Sequence, residues 1–272
     1  MAGVRFTEDQ STNLATLYGR AIDARAEHPV LGDPTAEDAV ARIDYDFTKF
    51  KVRKAHAFGI AARGKVFDAV VRDFIAAHEE CTVVHLGAGM DGRVFRVDPP
   101  ATVRWFDIDF PEVIDLRRQV YPERANTTMI GASVTDPSWL EDVPRGRPAI
   151  VVAEGLTMYL DPTDGRELFR RVVAHFSSGE VFFDAYSKLG VRSQKTNAIV
   201  RRAKATLRWG IDDPTELAEV GLTPVSCQTA EAFVPKEDWP RLPAFQRTVY
   251  RAMLRVPVLR NMGKLLRYRF GS

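Results

Sequence analysis

Residues 81–98, CTVVHLGAGMDGRVFRVD, decide the fold class, because an apolar run in them leads directly into a glycine-rich turn. The run Cys81–Leu86 has the length and composition of a buried parallel strand. Gly87, Gly89 and Gly92 follow with the G-x-G-x-x-G spacing of a loop that brings backbone close to an adenosine cofactor. The stretch therefore predicts the first strand and the cofactor loop of a doubly wound α/β sheet.

Strands and helices alternate along the following residues. We predict three further strands and two helices between them, at residues 102–108, 149–153 and 180–185 and at residues 111–120 and 162–176. Such alternation is typical of a mainly parallel sheet with helices on both faces. The carboxyl ends of its strands lie along one edge, where a ligand binds. Residues 265–270 are expected to form a final edge strand.

The chain is long enough, at 272 residues, for one large α/β domain with accessory helices. We expect residues 1–80 to form a helical N-terminal cap over the cofactor crevice. Residues 81–272 would then form the cofactor-binding domain, with a helical, lid-like insertion around residues 190–235. The helix expected in this insertion carries three basic residues, Arg201, Arg202 and Lys204.

The composition is ordinary for a soluble globular protein, with 45% hydrophobic and 27% charged residues and a net charge of +2. The N-terminal residues lack the apolar core of a signal peptide, and no apolar run approaches the roughly 18 residues of a membrane span. Cys81 and Cys227 are too few for a disulfide framework or a metal cluster. These features favour a cytoplasmic protein without a metal site.

The last 34 residues differ in charge from the preceding part of the chain. After Asp238 they contain eight basic residues and no acidic one. A segment of this kind is either a solvated helix face or a surface for an acidic partner. Within it, Phe245, Val249, Met253 and Val256 recur at helical spacing, which predicts a buried face.

The glycine loop can be interpreted with either of two adenosine cofactors. The pyrophosphate of NAD suits a helix N-terminus, but the carboxylate of Asp91 in this loop would repel it. S-adenosylmethionine has an amino group and a sulfonium and carries no phosphate. Asp107 and Asp109, at the end of the second strand, could bind a ribose in either cofactor. The loop therefore favours S-adenosylmethionine, with an NAD(P) oxidoreductase as the alternative.

Four segments, in this order and spacing, indicate a relationship to a known family: HLGAGMDGRVFR, WFDIDFPEVIDLRR, IGASVTD and VVAEGLTMYL. Together they resemble the leucine carboxyl methyltransferase family, and most of all its bacterial branch of tetracenomycin-type polyketide carboxyl O-methyltransferases. The resemblance runs from about residue 15 to residue 214. It implies a class I methyltransferase, with a Rossmann-like, doubly wound, mostly parallel seven-stranded sheet, a helical N-terminal cap and S-adenosylmethionine as cofactor.

The resemblance also implies roles for three charged residues. Arg63 matches the family's arginine that holds the methionyl carboxylate of the cofactor. Glu154 matches the acid that faces the methionyl amino group, and Asp109 matches the acid that binds the ribose.

The remaining implied cofactor residues lie in two loops. Gly87 and Gly89 match the loop whose backbone approaches the methionyl part. Ser133 and Val134 match the pair that flanks the adenine, where many relatives have Asp-Leu. Serine accepts a hydrogen bond from the adenine amino group less strongly than a carboxylate does.

The acceptor determines whether a general base is needed. A carboxylate is ionised at pH 7, whereas a phenol, with a pKa near 10, profits from a base such as histidine. His56 precedes the segment with Arg63 and is the histidine that could face the crevice. Tyr159 and Tyr186 follow predicted strands and are candidates for orienting the substrate. Core positions with hydrated hydroxyls explain both tyrosines equally well.

We therefore expect an S-adenosylmethionine-dependent O-methyltransferase that esterifies the carboxyl group of a small aromatic or polyketide-like metabolite. Alternatives with the same cofactor are a phenolic hydroxyl, a protein C-terminus or an RNA as acceptor. The basic C-terminal segment suits RNA phosphates but lacks interleaved aromatic residues, so we expect little RNA binding. A binding module without turnover is a further alternative, and the sequence leaves the oligomeric state open.

Overall fold

A computed structural model describes residues 2–3, 11–194 and 206–271 of the chain. Its centre is a seven-stranded sheet with the order β3-β2-β1-β4-β5-β7-β6. Strands β1 to β5 are parallel, and β7 is antiparallel to both of its neighbours. The strands are β1 (Cys81–Leu86), β2 (Val103–Asp109), β3 (Thr127–Gly131), β4 (Ala149–Ala153), β5 (Ser178–Tyr186), β6 (Thr223–Thr229) and β7 (Gly263–Gly271).

Helices precede the sheet and connect its strands. The α-helices of the described residues are α1 (Ser11–Ala24), α2 (Pro34–Arg42), α3 (Lys54–Ala76), α4 (Arg93–Val97), α5 (Pro111–Val120), α6 (Pro162–His175), α7 (Lys188–Arg192), α8 (Ala244–Arg255) and α9 (Pro257–Arg260). Short 3-10 helices occupy Phe47–Phe50, Pro137–Leu140, Thr157–Tyr159, Pro214–Val220, Ala230–Phe233 and Lys236–Arg241. Ala2–Gly3 pairs with Ile43–Asp44 as a small separate sheet. No helix in the described ranges is both long and apolar enough to cross a membrane.

The central strands form where the sequence has apolar runs. Every residue of β1 and β4 is buried, because helices cover both faces of the sheet there. On one face, Phe67 and Val71 of α3 pack against Val83, Trp105 and other residues of the sheet. On the other face, α6 packs against the sheet together with the Pro137–Leu140 turn. Because the strands are parallel, their carboxyl ends lie along one edge of the sheet, between these two helical layers.

The C-terminal half of the sheet differs from the sequence prediction. The predicted last strand is present as β7, but it lies between β5 and β6 and is not an edge strand. Strand β6 forms the edge instead, within the range predicted to be a helical insertion. Its half-exposed, mostly polar residues suit an edge, whereas β7 has the apolar residues that an interior position requires. The predicted helix with Arg201, Arg202 and Lys204 lies outside the described residues.

Helices α1 and α2 pack against α5 and the glycine loop. Leu14 and Leu17 of α1 and Val113 of α5 share one buried cluster with Met90 of the loop. A Cβ atom at Gly92 would lie 2.0 Å from the hydroxyl oxygen of Thr35 in α2, so this glycine permits the close packing. The N-terminal helices are therefore in direct contact with the loop that follows β1.

The predicted buried face of the basic C-terminal segment is exposed. In α8, the side chains of Phe245 and Val249 are exposed, with Phe245 at 78%. Helix α8 contacts the body through Tyr250, whose hydroxyl donates to the carbonyl of Ala230 and whose ring packs against Trp239. Because Tyr250 makes this contact, the stripe with Phe245 and Val249 is turned towards solvent. Helical periodicity correctly predicted an amphipathic helix but not which face is covered.

Candidate functional site

The candidate site lies at the carboxyl ends of the parallel strands. Gly87 follows β1, Asp109 ends β2, Glu154 follows β4 and Asp184 lies near the end of β5. Helix α3, which packs on one face of the sheet, contributes Arg63. Four separate elements therefore bring charged side chains to one place, as expected for a doubly wound sheet.

Arg63 and Glu154, predicted as a pair at the methionyl end of a cofactor, are in direct contact. Nε of Arg63 donates to Oε1 of Glu154 over 2.9 Å, and Nη1 donates to Oδ2 of Asp184 over 2.9 Å. Burial disfavours the charged form of Arg63, but the nearby Asp184 and Glu154 carboxylates outweigh it and raise its pKa. The Arg63 side chain stays 22% exposed, so it is accessible from the crevice.

Glu154 is held as an anion by several guanidinium groups. Its Oε1 faces Arg63 at 2.9 Å and Arg20 at 3.6 Å, while Oε2 accepts from Arg93. Burial favours the neutral acid, but Arg63, Arg93 and Arg20 lower the pKa of Glu154 below its usual value. A buried, ionised carboxylate at this point is a suitable partner for an ammonium group.

The glycine loop is fixed by Asp109. Gly87 and Gly89 have φ values of 60° and 49°, a left-handed conformation that glycine adopts at little cost. The backbone N–H groups of Gly89 and Phe110 each donate to one oxygen of Asp109 over 2.7 Å. Burial raises the pKa of Asp109. Because a carboxylate can accept about four hydrogen bonds, Asp109 retains capacity for a ribose hydroxyl.

Asp107 supports the glycine loop indirectly, through Arg117. Its carboxylate accepts hydrogen bonds from His85, Trp105 and Arg117. Burial opposes ionisation, but Arg117 and the hydrogen bonds prevail and lower the pKa of Asp107 to about 2. Arg117 in turn donates to the carbonyl of Gly89 over 2.7 Å. Asp107 is therefore committed to protein partners.

The carboxylate of Asp91 is compensated within the protein. It is 3.0 Å from Arg20, 2.8 Å from Arg96 and 3.1 Å from Arg93. Burial would raise the pKa of Asp91, but these guanidinium groups lower it well below its usual value. Contrary to the sequence prediction, Asp91 is therefore not an obstacle to a pyrophosphate, because three neighbouring cations neutralise its charge.

These contacts join into one network, which we call the buried ion cluster. It consists of Arg20, Arg63, Arg93 and Arg96 with Asp33, Asp68, Asp91, Glu154 and Asp184. Sequence reasoning missed the roles of Arg20 and Asp184. A charged residue in a helix or near a strand end gives no signal about partners that lie far away in the chain.

The predicted adenine-flanking pair lies beside the end of β2. The N–H group of Ala132 donates to the carbonyl of Asp109 over 2.9 Å, which ties the loop after β3 to the ribose candidate. The hydroxyl of Ser133 is 2.9 Å from that of Thr135. Val134 is buried, and its carbonyl accepts from the indole of Trp139 over 3.1 Å. The structure thus brings Ser133 and Val134 to the predicted edge of the sheet.

Two of the three substrate-orienting candidates lie near this edge, and the third, His56, lies at the start of α3. Tyr159 and Tyr186 both pack against a small buried cluster with Met158 and Leu207. Tyr186 is also near enough to Arg63 to contribute to the raised pKa of that guanidinium. His56 is half-buried in the first turn of α3, seven residues before Arg63, so both lie on the same face of the helix about 10 Å apart.

The structure brings together Glu154, Arg63, Asp109 and the left-handed glycines, which the sequence predicts as cofactor residues. Their groups are a carboxylate, a guanidinium, a second carboxylate and a left-handed backbone turn. Within the described residues, no group of three or more His, Cys, Asp or Glu side chains is arranged to hold a metal ion.

The chain matches a known protein family. The sequence profile of the family described as "Leucine carboxyl methyltransferase" matches residues 13–173, which is more than half of the chain.

Two relatives extend this match over most of the chain. The chain is 42% identical over 279 residues to "Tetracenomycin polyketide synthesis O-methyltransferase TcmP" of Streptomyces glaucescens, with 98% of both chains covered. It is 33% identical over 235 residues to "S-adenosyl-L-methionine-dependent methyltransferase dpfgK" of Gibberella zeae, with 79% of both chains covered.

Solved structures share the fold at low sequence identity. A duf574 family protein from Streptomyces avermitilis superposes with a TM-score of 0.58 at 14% identity, over 94% of this chain and 96% of that chain. Magnesium protoporphyrin IX methyltransferase from Synechocystis, solved with bound S-adenosylhomocysteine, gives a TM-score of 0.51 at 11% identity, over 88% and 95%. These similarities concern the arrangement of the sheet and its helices.

Proposed function

This chain belongs to the leucine carboxyl methyltransferase family, and from that membership we propose that it methylates a carboxyl group of a small aromatic or polyketide-like metabolite. The chain is an S-adenosylmethionine-dependent O-methyltransferase with a class I fold. The sequence predictions of family, fold, enzyme class and cofactor are confirmed. The family's activity on carboxyl groups and the place of its relative in polyketide synthesis support the proposed acceptor.

The observation that carries the proposed cofactor site is the contact between Arg63 and Glu154 beside the glycine loop. Arg63 would hold the methionyl carboxylate, Glu154 the ammonium group and Asp109 the ribose. Ser133 and Val134 would flank the adenine. When bound, S-adenosylmethionine supplies a methyl group on a sulfonium, which an ionised carboxylate can accept without losing a proton.

Of the five histidines, His56 is the one candidate for a general base. His85 is buried between Asp107 and Arg93, and burial lowers its pKa. His78 and His175 are bound to backbone carbonyls of Phe74 and Val143. These three side chains are committed to the fold, and His28 is exposed just after α1, which leaves His56 as the candidate base near the site. A reaction that needs no base fits this arrangement, because the residues then only align the reactants and exclude water.

The surroundings of the site suit a small molecule. Tyr159 and Tyr186 would orient the acceptor, with helices α1 and α2, which pack against the glycine loop, enclosing it. We propose no nucleic acid partner, because the exposed stripe of α8 contains one aromatic residue, Phe245, and not an interleaved row. We also place the reaction in the cytoplasm.

The acceptor is tested by the chemical stability of the product. The full chain is incubated with methyl-labelled S-adenosylmethionine and a panel of aromatic carboxylic acids that also carry phenolic hydroxyls. Matched compounds with the carboxyl group blocked as an amide serve as controls. We expect label that mild alkali releases as methanol, and no label on the blocked compounds. Alkali-stable label on the blocked compounds would instead identify phenolic methylation and refute the proposal.

The cofactor site is tested separately by binding. Arg63→Gln and Glu154→Gln each remove one side of the central contact and should weaken S-adenosylhomocysteine binding by about 10-fold or more in calorimetry. Lys54→Gln changes an exposed cation at the start of the same helix and serves as the matched control. Equal affinity in all three variants and the wild type would contradict the proposed roles.

A further inference from the structure

An exposed apolar surface runs along α8 and continues into α9. Five of the eight large apolar side chains that are exposed among the described residues form it, and we call them the α8–α9 stripe: Phe245, Val249, Val256, Val258 and Leu259. Phe245 and Val249 lie one turn apart on α8, and Val256 continues the same line at the C-terminal cap of the helix. Exposed apolar side chains that are concentrated in this way mark an interaction surface.

Arginines without acidic partners border the stripe. Arg247, Arg251 and Arg255 follow one another at four-residue intervals on α8, and Arg260 ends α9. None of these four forms an ion pair with a carboxylate of the described residues, and residues 239–272 contain no acid. Arg251 and Arg255 are exposed beside the stripe, so the surface combines apolar area with positive charge that the protein does not compensate locally.

We propose that the α8–α9 stripe docks on an anionic lipid surface. A helix with an apolar face bordered by arginines lies in the plane of a membrane, where its apolar side chains enter the acyl boundary and its cations pair with lipid phosphates. Helix α8 has 12 residues, so it can lie on such a surface but is too short to cross it. Lipid head groups rearrange around the arginines, so no fixed pattern of acids is needed.

A second copy of the chain and a nucleic acid fit this surface less well. A two-fold dimer through the stripe would place the arginines of one copy opposite the same arginines of the other, and like charges repel. Single-stranded nucleic acids bind to rows of exposed aromatic rings, whereas Phe245 is the one aromatic side chain of the stripe.

The stripe adjoins the part of the site proposed for the acceptor. Just after α9, the carbonyl of Met262 accepts from the backbone N–H of Ser187 over 2.9 Å, and Gly263 pairs with Tyr186 in the sheet. Methylation of a carboxylate removes its negative charge, so the ester enters lipid more readily than the acid. Docking would therefore bring the acceptor end of the site next to the lipid that takes up the product. This link rests on the proposed function, whereas the docking itself does not.

Vesicle flotation of the full chain, without cofactor or acceptor, tests the docking. The vesicles contain either equal parts of phosphatidylcholine and phosphatidylglycerol or phosphatidylcholine alone. We expect the wild type to float with the anionic vesicles, and less so with the neutral ones or in high salt. Arg255→Gln should weaken binding to the anionic vesicles by about 5-fold and Phe245→Ser by about 10-fold or more. Absence of wild-type binding, or equal binding of both variants and the wild type, overturns the proposal.

Matched variants elsewhere on the surface are the controls. Arg170→Gln removes an exposed arginine of α6, and Val225→Ser replaces an exposed valine of β6; both should bind the vesicles like the wild type. Light scattering and a polyglutamate column examine the other partners. A dimer that Phe245→Ser dissociates would assign the stripe to a second copy, and retention on polyglutamate without vesicle binding would assign it to an acidic protein; either result overturns lipid docking. The assay contains no methyl donor, so its failure leaves the proposed methylation standing.

Discussion

Asp184 holds Arg63 and the turn after β4 with one carboxylate. Its Oδ2 accepts from Nη1 of Arg63 over 2.9 Å, and its Oδ1 accepts from the backbone N–H of Gly155 over 2.6 Å. Its own carbonyl accepts from the hydroxyl of Thr157 over 2.7 Å. Strand β5 therefore positions both members of the Arg63–Glu154 contact, since Glu154 is the residue next to Gly155.

Replacing Asp184 should weaken cofactor binding. Asp184 accepts from Arg63 and from the backbone N–H of Gly155. In Asp184→Asn the amide oxygen can accept from only one of them, because the amide NH₂ group is itself a donor and faces the other donor. We expect S-adenosylhomocysteine to bind about 10-fold or more weakly by calorimetry. Glu180→Gln is the matched control, since Glu180 lies on the same strand and pairs with Arg267 away from the site. The same affinity in Asp184→Asn and in the control would show that Asp184 does not position Arg63.

Asp107 should make stability depend on pH in the acid range. Its pKa is about 2 in the folded protein, below the ordinary 3.8, so the unfolded chain binds its proton first as pH falls. The stabilisation is present above pH 4 and is lost as pH falls towards 2, by about 2 kcal/mol. Urea unfolding from pH 5 to pH 2.5 should show a steeper loss for the wild type than for Asp107→Asn. The exposed Asp115→Asn should keep the wild-type slope, and parallel slopes for all three proteins would contradict this role of Asp107.

Two helical glycines should respond oppositely to alanine. A Cβ atom at Gly165 in α6 would lie 2.0 Å from the indole of Trp209, whereas at Gly59 in α3 it would meet nothing within 4 Å. Gly165→Ala should lower the free energy of unfolding by about 1–3 kcal/mol through overpacking. Gly59→Ala should raise it by about 0.5–1 kcal/mol, because alanine loses less backbone entropy in a helix. Urea unfolding measures both, and a change of the same sign would count against the packing of Trp209 on α6.

The two cysteines should differ in reactivity. Cys81 is buried in β1, and burial raises the pKa of its thiol to about 11, whereas Cys227 is exposed. Ellman's reagent at pH 8 should therefore modify one thiol per native chain and two in urea. Cys227→Ser should abolish the native reaction and Cys81→Ser should leave it. Rapid modification of two thiols in the native protein would show that β1 opens readily.

The sequence predicts the centre of the sheet better than its edges. Strands β1 and β4 are apolar along their whole length because they are covered on both faces. Strands β3 and β6 are partly exposed, and their polar residues gave no apolar run to detect. A strand at the side of the sheet is less buried, so its sequence has a weaker hydrophobic pattern.

Site residues could be predicted from the sequence only where they belong to a motif that resembles the family. Arg63 and Glu154 were identified through the family resemblance, and the structure brings them into contact. Arg20 and Asp184 were not, because their importance comes from ion pairs with residues at least 71 positions away. Periodicity likewise identified the apolar stripe of α8 but could not indicate that Tyr250 makes the contact with the body.

The buried ion cluster has five carboxylates and four guanidinium groups, so it carries one surplus negative charge when all are ionised. S-adenosylmethionine has a net charge of +1, whereas S-adenosylhomocysteine is neutral overall. The attraction between the charge of this cluster and the charge of the ligand is therefore lost when the methyl group is transferred. Burial raises the pKa of Asp184, so acidification protonates this carboxylate at a higher pH than an ordinary aspartate and lowers the surplus. With the cofactor bound as proposed, the charge of the buried ion cluster favours the sulfonium cofactor over its neutral product, and less so once Asp184 is protonated.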